Sequence, residues 1–339
     1  MRVTLKDISE ATGYEVSTVS KVLRGDKRCY ASEETRKIIF DAATQLDYVP
    51  NHFARSLRSN RSHTIGIVGA VAGAGATAPM LKAMTRELSA TGYMPLFCAS
   101  QNQGRGERRA LQALRGRCVD GIVLVTGTED EELQRILPKN VPCVLIPRVE
   151  TPGWPSVVVD RTAAFAAGVR WLAERGHVRI AFMYADEEGA TGSRPGSTEL
   201  KMAGYRAAME ARGILDEGLL LPCGPSPADA RESVLARADL FKDVTAVLAA
   251  NDRIAIEAMS GMAMLGLRVP EDCSVIGFDN VEFAEATHPR LTSFDPRGEE
   301  AGATAARMVL DLIDGKEVET VTIQPELTER ESAGPCRKS

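Results

Sequence analysis

The stretch VTLKDISEATGYEVSTVSKVL, Val3 to Leu23, writes two short amphipathic helices around a single glycine. Thr4 is placed to cap the first, Asp7 three residues on closes a capping box, and Leu5, Ile8 and Ala11 fall on one helical face. Gly13 supplies the turn. Beyond it Val16, Val19, Val22 and Leu23 form a second apolar stripe and leave Ser17, Thr18, Ser20 and Lys21 to face outward. That is the spacing of a helix-turn-helix DNA reader, and hydroxyls beside an amine are groove-facing chemistry. Two small helices about a glycine also occur as plain helical hairpins, so these residues alone leave both readings open.

Downstream, SEETRKIIFDAATQLDYVPN, residues Ser32 to Asn51, reads as a third helix. Ser32 is its N-cap, Glu33 and Glu34 complement the macrodipole, Ile38, Ile39, Ala42 and Leu46 point inward, and Asp47 and Pro50 end it. NHFARSLRSNRSH, Asn51 to His63, is basic and has room for two helical turns from Asn51 to Arg58, too few to stand without a partner. Taken together, VTLKDISEATG, STVSKVLRG, SEETR and YVPNHFARSLR resemble the headpiece and hinge of the lac repressor (LacI/GalR) family of bacterial transcription regulators.

Composition agrees. The 339 residues are enough for a small module and two ordinary domains, and 44% of them are hydrophobic. Residues 1 to 61 hold eleven Lys or Arg against eight Asp or Glu, about +3, which leaves thirty against thirty-eight, about −8, for the rest. A basic arm on an acidic body suits nucleic acid at one end, although so small an excess is also met on ordinary solvated surfaces. The seven cysteines form no CxxC pair and have no histidine at ligand spacing, which argues against a metal site or a disulfide framework. No cofactor motif is present either. The amino terminus is charged and no apolar run reaches about eighteen residues, so a reducing cytoplasm fits; the resemblance implies a bacterial protein, associated with the nucleoid when bound.

From Thr64 the pattern becomes alternating strands and helices. Short apolar runs recur at 64–71, 94–99, 120–126, 142–147, 178–184, 245–250 and 273–279, with amphipathic stretches such as Arg161 to Arg175 and Asn251 to Leu265 between them. The count predicts an α/β body of two Rossmann-like, parallel-sheet lobes, with ligand bound outside the carboxyl ends of the strands. The resemblance implies the same: VDGIVLV, ERGHVRIAFM, AGYRAAM, AANDRIAIEAM, LGLRVPEDCSVIGFDN and HPRLTSF look like segments of that family, whose core is of the periplasmic-binding-protein type. The expected division is a headpiece over 1–49, a hinge and linker over 50–63 and an effector-binding, dimerising body over 64–335.

The resemblance places Val16, Ser17 and Lys21 where bases are read. The chemistry allows it, since Val meets a thymine methyl, Ser bonds to any base edge and Lys donates to guanine. Thr18 and Ser20 suit phosphates, and Asn51, Arg55 and Arg58 of the hinge stretch are further candidates for contact with DNA. Leu57 matches the hinge leucine that relatives wedge into a minor-groove step; packing against the body is its alternative role. A paired hinge requires a homodimer, hence a pseudo-palindromic operator. Two departures stand out: Glu15 replaces the usual Ser at the start of the second helix, where it would repel a phosphate, and the loop GDKRCYAS gains Lys27 and Arg28.

In the body Arg148, Asp160, Tyr184, Lys201, Asn251 and Asp279 sit at strand ends or family positions that imply contact with an effector. Carboxylate and amide suit a sugar, and the cations Arg148 and Lys201 suit a sugar acid. Taken singly, each serves a cap or a surface equally well. Relatives carry an Asn-Pro-aromatic-aromatic turn after the first core strand, where this chain has AVAGAGATAPM, 70–80; the aromatic expected near residue 225 is replaced by CGPSP, so an unusual effector, or none, is also compatible. The function expected is an effector-controlled DNA-binding regulator, most readily a repressor. A transport solute-binding protein shares the bilobed body but not the basic headpiece. An enzyme lacks support, because no GxSxG or HExxH is present and the four histidines, His52, His63, His177 and His288, are far apart. His177 is expected to cap a helix end.

Overall fold

Three helices build the first part of the chain: α1 (Leu5–Thr12), α2 (Val16–Leu23) and α3 (Glu33–Gln45). The computed structural model describes residues 3–26, 29–49, 61–69, 77–100, 104–126, 135, 137–147, 152–186 and 196–337. These fall in two compact units, Met1–Ser62 and His63–Ser339. In the first, Thr4 and Asp7 form the anticipated capping box, Gly13 takes the left-handed turn at φ 74°, and Ser32 Oγ accepts from Thr35 N at 3.1 Å. Ile8, Val19, Val22, Ile39 and Ala43 close the core, joined by partly buried Leu5, Leu23, Ala42 and Leu46. Ala11 and Ile38, expected inward, are exposed. Among the described residues these three short helices each cover the other two along narrow strips, so residues at the margin of an apolar stripe stay wet.

The second unit contains two lobes. In one, β1 (Thr64–Gly69), α4 (Ala78–Ala90), β2 (Met94–Ala99), α5 (Gly104–Arg115), β3 (Gly121–Thr126) and β4 (Cys143–Pro147) give a parallel sheet in the order β2-β1-β3-β4. After β5 (Val157–Val159) the chain enters the other lobe through α6 (Arg161–Ala173). There β6 (Ile180–Ala185), α7 (Gly196–Glu210), β7 (Leu220–Cys223), α8 (Pro227–Ala236), β8 (Ala246–Ala249), α9 (Asp252–Met264), β9 (Ser274–Phe278), α10 (Phe283–Ala286) and β10 (Thr292–Asp295) follow.

The chain then returns. Helix α11 (Gly298–Ile313) packs on α4, β3 and β4 of the first lobe, where a Cβ on Gly302 would run into the Met80 carbonyl and only glycine permits the approach. β11 (Val321–Ile323) pairs with β5, and the chain crosses a third time to β12 (Glu326–Thr328). The second sheet therefore runs β12-β10-β9-β8-β6-β7, parallel except for β12, which lies antiparallel on β10. The seven long apolar runs became strands as read, whereas β5, β7, β10, β11 and β12, of three or four residues, were too short to carry a period. Three crossings join the lobes, and the buried core runs continuously from Ile65 and Val123 through Val157 and Val159 to Phe165 and Phe182.

Candidate DNA-reading face and effector site

Helix α2 separates its two faces cleanly. Val19 and Val22 are fully buried against α1 and α3, while Val16, Ser17 and Lys21 are exposed and Thr18 and Ser20 partly so. Val16, Ser17, Ser20, Lys21 and Arg24 recur at i, i+1, i+4, i+5 and i+8, one stripe along the outer surface. Val16 belongs to this stripe and not to the apolar one, at 42% exposure. Arg24 Nε turns back to the Ser20 carbonyl at 2.9 Å, closing the end of the stripe. The Arg36 guanidinium ties α3 to the preceding loop through the carbonyls of Cys29 (2.9 Å) and Ala31 (3.3 Å). Asn51, Arg55, Leu57 and Arg58, with the added Lys27 and Arg28, lie outside the described residues.

In the body, the adjacent carboxyl ends of β6, β8 and β9 carry Tyr184, Asn251 and Asp279, and Lys201 reaches in from α7. Lys201 is buried; its Nζ donates to the Ala250 carbonyl at 2.6 Å and lies 4.1 Å from the centre of the Phe278 ring. Asn251, next along, caps α9 by accepting from Ile254 N at 3.0 Å through Oδ1. Tyr184 is buried and its ring stacks on Phe182 with centroids 5.4 Å apart. Asp279 follows Phe278 with φ 108°, its amide donating to the Phe294 carbonyl at 2.9 Å. Burial pushes the Asp279 carboxyl above the usual carboxylate range, against the opposing pull of Lys201 and Arg161.

Asp160 is placed differently. Its Oδ1 caps α6 through Ala163 N at 2.9 Å and its Oδ2 accepts from Gln324 Nε2 at 3.3 Å, so it ties the first crossing to the third. This is the capping role that its position after VVV left open. Arg148 and residues 70–76 of the glycine-rich segment lie outside the described residues. His177 does not cap a helix with its side chain: it is buried and its Nε2 meets the Gly334 carbonyl at 2.9 Å, while its backbone N–H bonds to Leu172. Burial lowers its pKa and the Gly334 carbonyl opposes that shift.

Three contributors escaped the sequence reading. Arg161 acts on Asp279 across the first crossing. Asp252 is fully buried; Ser293 Oγ donates to its Oδ1 at 2.5 Å and Val281 N to its Oδ2 at 2.8 Å. Ser293 Oγ in turn accepts from Asn280 N at 3.1 Å, so the two side chains brace the turn 279–281, in which Asp279 and Asn280 both have positive φ. A Cβ on Gly277 would collide with Oδ1, so glycine makes room for the carboxylate. Burial raises Asp252 to about 7, with the Ser293 and Val281 bonds pulling down and Asp279 pushing up. Arg330, reaching from the tail, donates to Asn280 Oδ1 at 2.8 Å and to the Leu291 carbonyl at 2.7 Å. The pair Asn251-Asp252, immediately after the run TAVLAA, was the available signal for Asp252; for Arg161 and Arg330 no local pattern exists.

Among the described residues no helix is long and apolar enough to cross a membrane. Residues 4–51 match the family of bacterial regulatory proteins, lacI family, and residues 169–333 match the periplasmic binding protein-like domain. The HTH-type transcriptional repressor PurR of Erwinia tasmaniensis is 32% identical, over 98% of this chain and 98% of its own. The HTH-type transcriptional regulator DegA of Bacillus subtilis is 28% identical, over 99% of each. Among solved structures, the lac repressor dimer bound to operator and the anti-inducer ONPF superposes with a TM-score of 0.87 at 24% identity, over 98% of this chain and 99% of that one. A CelR–cellobiose complex gives 0.69 at 28% identity, over 98% and 100%. With helix-turn-helix headpiece and two-lobed binding body both accounted for, this chain belongs to the lacI family of bacterial regulatory proteins and is an effector-controlled DNA-binding transcriptional regulator, not an enzyme.

Proposed function

We propose that a homodimer of this chain represses transcription from a pseudo-palindromic operator in the bacterial cytoplasm, where DNA binding associates it with the nucleoid. Val16, Ser17 and Lys21 read base edges in the major groove, and Thr18 and Ser20 hold phosphates. In the hinge segment, 50–63, Asn51, Arg55 and Arg58 hold the backbone and Leu57 wedges the central step. The effector is a sugar or sugar acid held between the lobes by Lys201, Asn251 and Asp279, with Tyr184, Asp160 and Arg148 around them. The observation that carries the reading is that Asn251 and Asp279 sit at adjacent strand ends of one sheet and Lys201 of α7 reaches the Ala250 carbonyl beside them, with Arg161 added to the cationic side. Sugars also occur in solved relatives: cellobiose in the CelR complex and ribose in a LacI family regulator from Enterococcus faecium. Ligand closure between the lobes would shift the paired headpieces, with coupling of about 1 to 3 kcal/mol.

The test is a fluorescence titration of a labelled promoter with purified protein, with and without a panel of sugars and sugar acids. Selective binding that a ligand shifts by about fivefold or more supports the reading. Affinity should also fall steeply with salt, because each phosphate contact releases counterions. Equal binding to promoter and random duplex would reject it.

A further inference from the structure

The acidic residue that opens the DNA-reading helix is held in an unusual way. Glu15 is the N-cap of α2, its carbonyl accepting from Thr18 N and Val19 N at 2.9 and 3.0 Å, yet its carboxylate makes no capping bond. Instead Ser17 Oγ donates to Glu15 Oε2 at 3.3 Å, and both side chains are exposed on the same outer face as Val16 and Lys21. The single hydroxyl proton of Ser17 is thereby turned onto Glu15. What the pair presents outward is acceptors only: Oε1 of Glu15 and the lone pairs of Ser17.

A start of a helix ordinarily favours a phosphate, but here the carboxylate already supplies the negative charge and would repel one. A base edge is the remaining target in a groove. Guanine presents two acceptors there, thymine an acceptor and a methyl, and adenine an N7 acceptor beside its N6 donor. Cytosine alone offers its amino donor without an adjacent acceptor of its own. We propose that Glu15, oriented by Ser17, determines specificity by accepting a hydrogen bond from a cytosine N4 amino group in each half-site. Lys21, one turn beyond Ser17 along the stripe, supplies the opposite chemistry, so the face discriminates with donors and acceptors together. The inference rests on the reading that α2 enters the major groove.

The experiment is a binding selection from a randomised double-stranded DNA library with the full chain, wild type and variants, followed by anisotropy titrations on single-base changes of the selected site. Wild type should select a half-site with one cytosine whose replacement weakens binding about tenfold or more. Glu15→Ala should lose the preference at that base pair alone, keep it elsewhere, and bind duplexes lacking that cytosine more tightly than wild type does. Glu15→Gln should shift the same position toward adenine, whose N6 and N7 an amide can pair. Because Glu15 makes no capping bond, circular dichroism should show unchanged helicity in both variants. If Glu15→Ala selects the wild-type motif at every position, the inference is overturned while α2 keeps its place in the groove. If wild type selects no motif at all, the underlying reading fails with it.

Discussion

Five buried side chains, Ile8, Val19, Val22, Ile39 and Ala43, form the described core of the first unit, whereas the second buries dozens of apolar residues and several polar ones with them. The difference follows from where each unit keeps its chemistry. The headpiece displays Ser17 and Lys21 on the outside of a helix, so its interior can be purely apolar and small. The body gathers Asn251 and Asp279 at strand ends with Lys201 of α7 beside a core, and polar partners hold them in place: the Ala250 carbonyl accepts from Lys201, Ile254 N donates to Asn251, and Asp252 and Ser293 brace the turn that carries Asp279. An exposed site leaves stability to a few contacts, while an enclosed one makes stability depend on a polar network.

The comparison breaks most visibly at Ile39. Ile39→Ala removes one of five core side chains at a typical cost of about 2 to 5 kcal/mol, which is comparable to the whole stability of so small a module. Calorimetry should show the headpiece transition lost and the body transition kept, with operator binding abolished; a headpiece that still melts near its wild-type temperature would contradict so thin a core.

Asp252 sharpens the other side. Its folded pKa of about 7 lies above the 3.8 of an unperturbed Asp, so between about pH 4 and 7 the native body binds more protons than the unfolded chain. Stability from this group is therefore full at the acid end and declines as pH rises, with a slope of up to about 1.4 kcal/mol per pH unit. Asp252→Asn, which keeps an acceptor for Val281 N, should flatten that slope in urea melts compared at pH 5 and pH 7. An unchanged slope would remove Asp252 as its source. The smallest effect is expected at Ser32, the cap of α3, where Ser32→Ala should lower headpiece stability by about 1 kcal/mol and leave body melting unaltered.

The sequence by itself settled the helix-turn-helix, because capping box, glycine turn and 3.6-residue stripe are all local, and it settled the long parallel strands, because burial on both faces leaves continuous apolar runs. It also supplied Lys201, Asn251 and Asp279 by resemblance. Only the tertiary structure decided that Val16 faces out, that Asp160 clasps two crossings, that Arg161 acts on Asp279, and that Asp252 and Arg330 bond to the turn that follows it. Those assignments depend on partners far along the chain, such as Ser293 for Asp252 and Asn280 for Arg330. A residue's type and spacing record what its own segment can form, but which buried group it must satisfy is fixed when distant strands and crossings come together.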